Sequence, residues 1–281
     1  MTARSSDINK PVVLFDMDGT LTPPRGEIDW ALVPVLRQLT SYADIGIVSG
    51  SPYEYVTEQM HLAWTSIGSL RPANVTLLPC NGTQKYVWSV EEASFVQTHD
   101  NNFKDYIGDM HHQKTYKEVI RSLLVLQLQF LNDYEEFTSI TGNFLSYRNS
   151  MINWSMIGRD AKEKERAAFA KLDKEYEVRV ALCKALRVRL DSLGLEDIEF
   201  ALGGTTSVDI YPQGWDKTYA LSHFDNRPVW FVGDKCAPIG NDYTIWKKLQ
   251  PLDRSYATSG PQETYRILKE CILPSLEKKD D

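Results

Sequence analysis

The sequence predicts an α/β fold, a parallel sheet wound by helices and interrupted by an inserted α+β domain. Three observations predict it. Short apolar runs alternate with helical patterns over the first 85 residues, the middle of the chain changes to long charged helices and alternating strands, and the first rhythm returns after Pro212. Strands covered by helices on both faces are buried on both sides, so they read as brief continuous apolar runs.

In chain order, residues 11–15 predict a buried strand, 28–39 a helix, 45–48 a strand, 52–61 a helix and 75–78 a third strand. The segments 114–133 and 161–193 then set apolar residues at helical spacing within dense charge: Val119, Leu123, Leu126 and Phe130 in the first, Leu182, Leu186 and Leu190 in the second. Around them, 137–140, 144–147, 152–156, 198–202 and 208–211 carry strand chemistry. This order predicts an antiparallel α+β domain over 86–212, inserted into a core made of 1–85 and 213–281. The returning core predicts a helix near 217–223, a strand at 229–232, helices near 242–249 and 263–271, and a solvated tail at 277–281.

The 281 residues carry 31 basic and 38 acidic side chains, a net charge of −7, and are 42% apolar. That is enough to build a core and argues against a nucleic-acid-binding surface. No stretch approaches the roughly 18 apolar residues of a membrane span; the richest, 122–131, is broken by Gln127 and Gln129. The apolar run 12–15 is too short for a secretory leader, and Cys80, Cys183, Cys236 and Cys271 lack the close spacings of zinc sites or disulfide scaffolds. The expectation is a cytoplasmic chain with free thiols.

Chemistry concentrates where strands end. Asp16-Met17-Asp18-Gly19-Thr20 follows the first strand directly, and in open α/β sheets ligands bind beyond the carboxyl ends of strands. Two neighbouring carboxylates repel unless a cation or a proton compensates, so Asp16 and Asp18 predict a divalent metal. Taken alone, Asp-x-Asp-Gly reads equally well as a polar turn. Gly233-Asp234-Lys235 repeats the arrangement after the strand at 229–232, and Asp242 opens a helix at the same edge. Oxygen ligands of this kind suit Mg²⁺, which binds through one or two carboxylates and a substrate phosphate. Ser49 and Ser51 precede Pro52 at a helix start, where hydroxyls and N–H groups can hold a phosphate oxygen or simply cap the helix. Lys217 offers a positive charge to a phosphoryl group, though lysines at helix starts commonly lie on the surface.

These strand-end clusters resemble the motifs of the haloacid dehalogenase (HAD) superfamily of phosphotransferases. The resemblance implies a HAD-like Rossmannoid core with an inserted cap, Asp16 as nucleophile forming an aspartyl-phosphate, and Asp18 as general acid and base. Within that superfamily the chain looks like the eukaryotic-type phosphomannomutases from about residue 12 to 268. Phe15-Asp-Met-Asp-Gly-Thr-Leu-Thr-Pro-Pro-Arg25, Arg148-Asn, Ile157-Gly-Arg159, Gly203-Gly204, Ser207-Val-Asp209, Gly214-Trp-Asp-Lys217 and Gly240-Asn-Asp242 carry the likeness. It implies that Arg25, Arg148, Arg159, Arg166, Ser207 and Asp209 contact a hexose phosphate. It further implies metal binding by Asp16, Asp18, Asp234 and Asp242, a glucose- or mannose-1,6-bisphosphate activator, a role in GDP-mannose biosynthesis and a homodimer formed through the cap.

A mutase has a physical rationale as well. Moving phosphate between O1 and O6 of a hexose needs one site for the reacting phosphate and a distant one for the idle phosphate, and arginine forks match phosphate oxygens. Ser207 and Asp209, two apart on a strand, share a face and can bond sugar hydroxyls. Ser49 stands where the mutases carry glycine, Cys80 where they usually carry glutamate, and the loop 236–239 is unlike theirs. A Mg²⁺-dependent sugar phosphatase and a non-catalytic sugar-phosphate binder are the alternatives, and the choice between mannose and glucose stays open.

Overall fold

A computed structural model of the protein describes residues 10–24, 26–65, 69–111, 114–238 and 240–277. The chain divides into two compact units, Met1–Asp100 with Trp215–Asp281, and Asn101–Gly214. The first unit is built on β1 (Val12–Phe15), α1 (Leu32–Leu39), β2 (Asp44–Val48), α2 (Tyr53–Gln59), α3 (His61–Thr65), β3 (Val75–Leu78), β4 (Gln84–Ser89) and β5 (Ser94–Asp100). In the second unit follow α4 (Phe103–His111), α5 (Lys114–Asp133), β6 (Leu145–Tyr147), β7 (Ile152–Ser155), α6 (Glu163–Tyr176), α7 (Val178–Asp191), β8 (Ile198–Gly203) and β9 (Ser207–Pro212). The first unit resumes with a 3-10 helix (Lys217–Phe224), β10 (Val229–Gly233), α8 (Tyr243–Leu249), β11 (Ser255–Ala257), α9 (Pro261–Ile267), a π turn and α10 (Leu273–Glu277).

Seven strands form the first sheet in the order β11-β10-β1-β2-β3-β4-β5. The pairs among β11, β10, β1, β2 and β3 are parallel, and β1 is central and wholly buried. Its residues alternate between two cores: Val13 and Phe15 pack with α1 and the C-terminal helices, Val12 and Leu14 with Ala220, Phe224 and Ile245. Burial on both faces explains why four successive apolar residues make a strand here.

The second unit begins at Asn101, not at residue 86. Residues 84–100 extend the first sheet instead, with β4 antiparallel to β3 and β5 antiparallel to β4. They form an edge hairpin that mixes polar residues with Tyr86 and Phe95, which pack on the first core, so it shows no continuous apolar run. Two further expectations change. The segment 161–193 is two helices, broken at Glu177 in a left-handed conformation (φ 49°). Residues 137–140 form no strand, because Phe137 turns inward against Phe169, with ring centroids 6.1 Å apart.

The four-stranded sheet of the second unit has the order β6-β7-β9-β8. Ile152, Trp154, Val208 and Ile210 pack against Leu123, Leu126 and Phe130 of α5 and Leu186 and Leu190 of α7. Gln127, an interruption in the apolar run of α5, is satisfied inside this core: it accepts from Trp154 Nε1 at 2.8 Å and donates to Met156 O at 3.0 Å. Such pairing removes most of the cost of burying an amide. The opposite face of β7 and β9 is polar, with Asn153 opposite Asp209 and Ser155 opposite Ser207.

Candidate active site

β1 ends at Phe15 and the chain turns at once. The Asp16 N–H donates to Val232 O at 2.9 Å, which fixes Asp16 at the carboxyl edge of the sheet beside β10. Met17 O then accepts from the N–H groups of Thr20, Leu21 and Thr22, closing a tight loop. Gly19 sits in that loop at φ +84°, and a Cβ there would stand 2.5 Å from Asp234 Oδ2. Only glycine allows both the backbone conformation and the approach of the second acidic turn.

Lys217 opens the 3-10 helix and is fully buried. Its Nζ donates to Asp16 Oδ1 and to Asp242 Oδ1, and Asp242 Oδ2 accepts from the Lys235 N–H at 2.9 Å. Oxygens of Asp16, Asp234 and Asp242 lie within 4.8 Å of one another. Asp234 Oδ1 is buried without a hydrogen-bond partner, and the Lys235 ammonium, 3.8 Å from Asp234 Oδ2, is half-exposed and well solvated. Three carboxylates thus face one buried ammonium. The residual negative charge, the orphaned oxygen and the all-oxygen donor set fit a hard divalent cation.

Burial pushes the Asp16 carboxyl up, Asp242 adds to the rise and Lys217 opposes it, leaving a pKa of about 7. Burial alone would lower the Lys217 pKa, but the carboxylates of Asp16 and Asp242 outweigh it and hold the ammonium charged. The Asp16 shift has a testable sign. A folded pKa of about 7 against an ordinary 3.8 means the folded state binds the proton more tightly, so stability is lost as pH rises between these values. In chelator, wild type should therefore lose thermal stability relative to Asp16→Asn between about pH 5 and about pH 7.5. Parallel melting curves across that range would exclude the shift.

Asp18 does not join the acidic cluster. Its Oδ1 accepts from Tyr55 OH at 3.2 Å and from Gln59 Nε2 at 3.4 Å, and Gln59 Oε1 accepts from Thr22 Oγ1 at 2.9 Å. The Asp18 side chain is thereby linked to α2. Tyr55 and Gln59 are one helical turn apart, the only trace of their shared role in the sequence.

Ser49 is buried at the end of β2, and its Oγ accepts from the Ser51 N–H at 3.1 Å, so here the hydroxyl closes a turn before α2. The Ser49 carbonyl accepts from Asn81 N at 2.8 Å, and Asn81 Nδ2 donates to Trp215 O at 3.2 Å, tying this turn to the segment before Lys217. Cys80, Asn81 and Gly82 are all left-handed (φ 52°, 62° and 90°). A Cβ on Gly82 would lie 2.8 Å from Ala220 Cα, so the lysine-bearing helix packs directly on this strained turn. The sequence does not single out Asn81, although Asn-Gly marks a turn.

In the second unit, Asn153 gathers several of the expected sugar-phosphate residues. Its Nδ2 donates to Ser207 Oγ at 3.1 Å and to Asp209 Oδ1, while its Oδ1 accepts from Arg159 Nη1 at 2.7 Å. Arg166, on α6, donates to Thr205 Oγ1 at 3.1 Å in the β8–β9 turn. Arg148 lies in the β6–β7 turn, where its N–H donates to Met151 O at 2.8 Å. Arg25 lies outside the described residues. Arg179, absent from the sequence reading, is structural: it pairs with Asp173 at 2.8 Å and donates to the carbonyls of Gly204 and Ser207.

Residues 32–274 match the family model of eukaryotic phosphomannomutase. The chain belongs to the eukaryotic phosphomannomutase family. Phosphomannomutase 1 of Dictyostelium discoideum is 32% identical over 93% of this chain and 96% of its own length. The phosphomannomutase of Saccharomyces cerevisiae is 33% identical over 93% and 94%. Among solved structures, Plasmodium falciparum IMP-nucleotidase has a TM-score of 0.63 at 16% identity, covering 93% of this chain and 70% of its own. At that identity the likeness concerns the fold, a HAD-like core with a separate antiparallel unit. No helix among the described residues is long and apolar enough to cross a membrane.

Proposed function

We propose that this chain interconverts mannose-6-phosphate and mannose-1-phosphate through an aspartyl-phosphate on Asp16 and a hexose-1,6-bisphosphate. The observation that supports it most is the buried meeting of Asp16 with Lys217 and the Asp234 turn at the carboxyl edge of the sheet. Asp16 attacks phosphorus, the bond from phosphorus to the sugar oxygen breaks, and Asp18 returns a proton to that oxygen. In the opposite direction Asp18 takes the proton of the accepting hydroxyl as the phosphoryl group leaves Asp16. Lys217 holds the nucleophile and balances charge, with Asp242 fixing the lysine from its other side. Asp16 and Asp234 would hold Mg²⁺, which when bound supplies positive charge against the phosphate oxygens.

Residues 101–214 serve as the specificity cap, where Arg148, Arg159 and Arg166 bind the idle phosphate and Ser207 and Asp209 bind hydroxyls. A hexose-1,6-bisphosphate is the activator, since it loads Asp16 for the first turnover. The protein acts in the cytoplasm in GDP-mannose synthesis as a homodimer through the cap. In support, α5 exposes Leu124 (52%) and Leu128 (59%) one turn apart beside Val125.

Incubation with mannose-1-phosphate, Mg²⁺ and a trace of glucose-1,6-bisphosphate should yield mannose-6-phosphate. Free phosphate as the main product would make the chain a phosphatase, and no product a binder. Arg159→Ala should weaken both hexose phosphates by about 1.5–3 kcal/mol, the worth of a charged hydrogen bond. Acetyl phosphate has no second phosphate, so its hydrolysis through Asp16 should be unchanged. An equal loss on acetyl phosphate would remove Arg159 from the idle-phosphate site.

A further inference from the structure

We propose that Asn153 is a positioning residue that fixes Ser207 and Asp209 as hydrogen-bond acceptors, so that the second unit recognises a hexose hydroxyl through its proton. The inference rests on the reading that Ser207 and Asp209 bind sugar hydroxyls, and it adds the direction of those bonds and the residue that sets it.

Asn153 is buried on β7, an inner strand of its sheet, and lies directly opposite Asp209 on β9. Its partners decide which way the amide points. Oδ1 meets Arg159 Nη1, a group that can only donate, and Nδ2 meets the carboxylate of Asp209, which can only accept. Turning the amide over would set its N–H groups against the guanidinium and its carbonyl against the carboxylate, so a single orientation is allowed. The second proton of Nδ2 goes to Ser207 Oγ at 3.1 Å. The Ser207 hydroxyl spends its own proton on Gly203 O at 2.8 Å, across the β8–β9 turn. What Ser207 retains for a ligand is a lone pair. Asp209 likewise offers lone pairs, and both residues are partly exposed.

Gly203 leaves the space that this arrangement occupies. A Cβ there would stand 2.7 Å from Asp209 Oδ2 and 3.1 Å from Ser207 Oγ. Asn153 thereby joins one arginine of the idle-phosphate set to both hydroxyl readers. A hydroxyl that meets a fixed acceptor must donate, and a site built on such a bond rejects an analogue without the proton, because the acceptor is left unpaired.

The probes are mannose-1-phosphate and its deoxy and deoxyfluoro analogues at carbons 2, 3 and 4. They are titrated calorimetrically into the full chain with Mg²⁺ and Asp16→Asn, which stops phosphoryl transfer. Fluorine accepts weakly and cannot donate. At one carbon or more, the fluoro analogue should therefore bind about tenfold or more weakly than mannose-1-phosphate, and no better than the deoxy analogue. Adding Asn153→Ala should weaken mannose-1-phosphate by about tenfold and leave that fluoro analogue nearly unchanged, so the discrimination collapses. General damage to the unit would weaken both alike and keep the ratio. Gly203→Ala, which displaces Asp209 and leaves Asn153 in place, should lower the same ratio. Equal binding of all analogues, fluoro analogues that outbind their deoxy counterparts wherever deoxygenation costs affinity, or a ratio unmoved by Asn153→Ala would overturn the proposal. Turnover of mannose-1-phosphate by wild type separates the two readings: its absence with the analogue pattern intact overturns the mutase reading alone.

Discussion

Asp16→Asn is expected to reduce phosphoryl transfer by a factor of order 10⁴ or more, the scale seen when a covalent nucleophile is removed. The amide keeps the volume of the carboxylate but neither its charge nor its nucleophilicity. Folding should not suffer, because Asp16 is one of three clustered carboxylates and its burial already penalises the charged form. At neutral pH without metal the variant should melt at or above wild type. Steady-state turnover of mannose-1-phosphate, with melting as the control for folding, checks both parts. A well-folded variant that retains more than a few per cent of the rate would falsify the nucleophile assignment.

Lys217→Met is expected to destabilise the metal-free protein by about 3–5 kcal/mol, the cost of breaking a buried ion pair from one side. The ammonium is fully buried and donates to Asp16 and Asp242, so its removal leaves carboxylates facing one another in a low-dielectric interior. The loss should shrink when Mg²⁺ replaces chelator, because a cation at Asp16 and Asp234 offsets part of the same repulsion. Urea midpoints with and without Mg²⁺ measure this. Equal midpoints for wild type and variant in chelator would mean that Lys217 does not hold the cluster together. Catalysis should fall in either solution, since Asp16 loses the group that positions it.

Some of this architecture is written locally in the chain. Val12–Phe15 is legible as a strand because both of its faces are covered, and Asp16 is legible as a site residue because it follows such a strand without an intervening loop. The parallel core and the antiparallel second unit are readable from the change of period. The hairpin of β4 and β5 is not, since an edge pair can be polar on most positions and its strand character comes from the β3 ladder it joins. The break at Glu177 is hidden as well: Glu is a good helix former, so its left-handed conformation between α6 and α7 has no local signal.

Site residues divide in the same way. Asp16, Asp18, Asp234 and Asp242 are visible because carboxylates at strand ends have few structural uses. Tyr55, Gln59, Asn81 and Asn153 are ordinary residues in ordinary elements, and each becomes informative only through the partner it meets. Asp18 and Asp242 show the limit most clearly. Their residue type and spacing point alike to a metal, but in space the Asp18 side chain turns to Tyr55 and Gln59, whereas Asp242 joins the cluster of Asp16 and Asp234 while also engaging Lys217 and the Lys235 N–H.

The sequence by itself determined the layering of the chain, the edge of the sheet where chemistry collects and the family, because apolar periodicity and the order of motifs are properties of neighbours along the chain. Tertiary structure alone decided which carboxylates share the buried ammonium and where the second unit begins. These depend on distances between residues as far apart as Asp16 and Lys217, and the sign and size of an electrostatic interaction follow from separation and burial, neither of which spacing in the chain records.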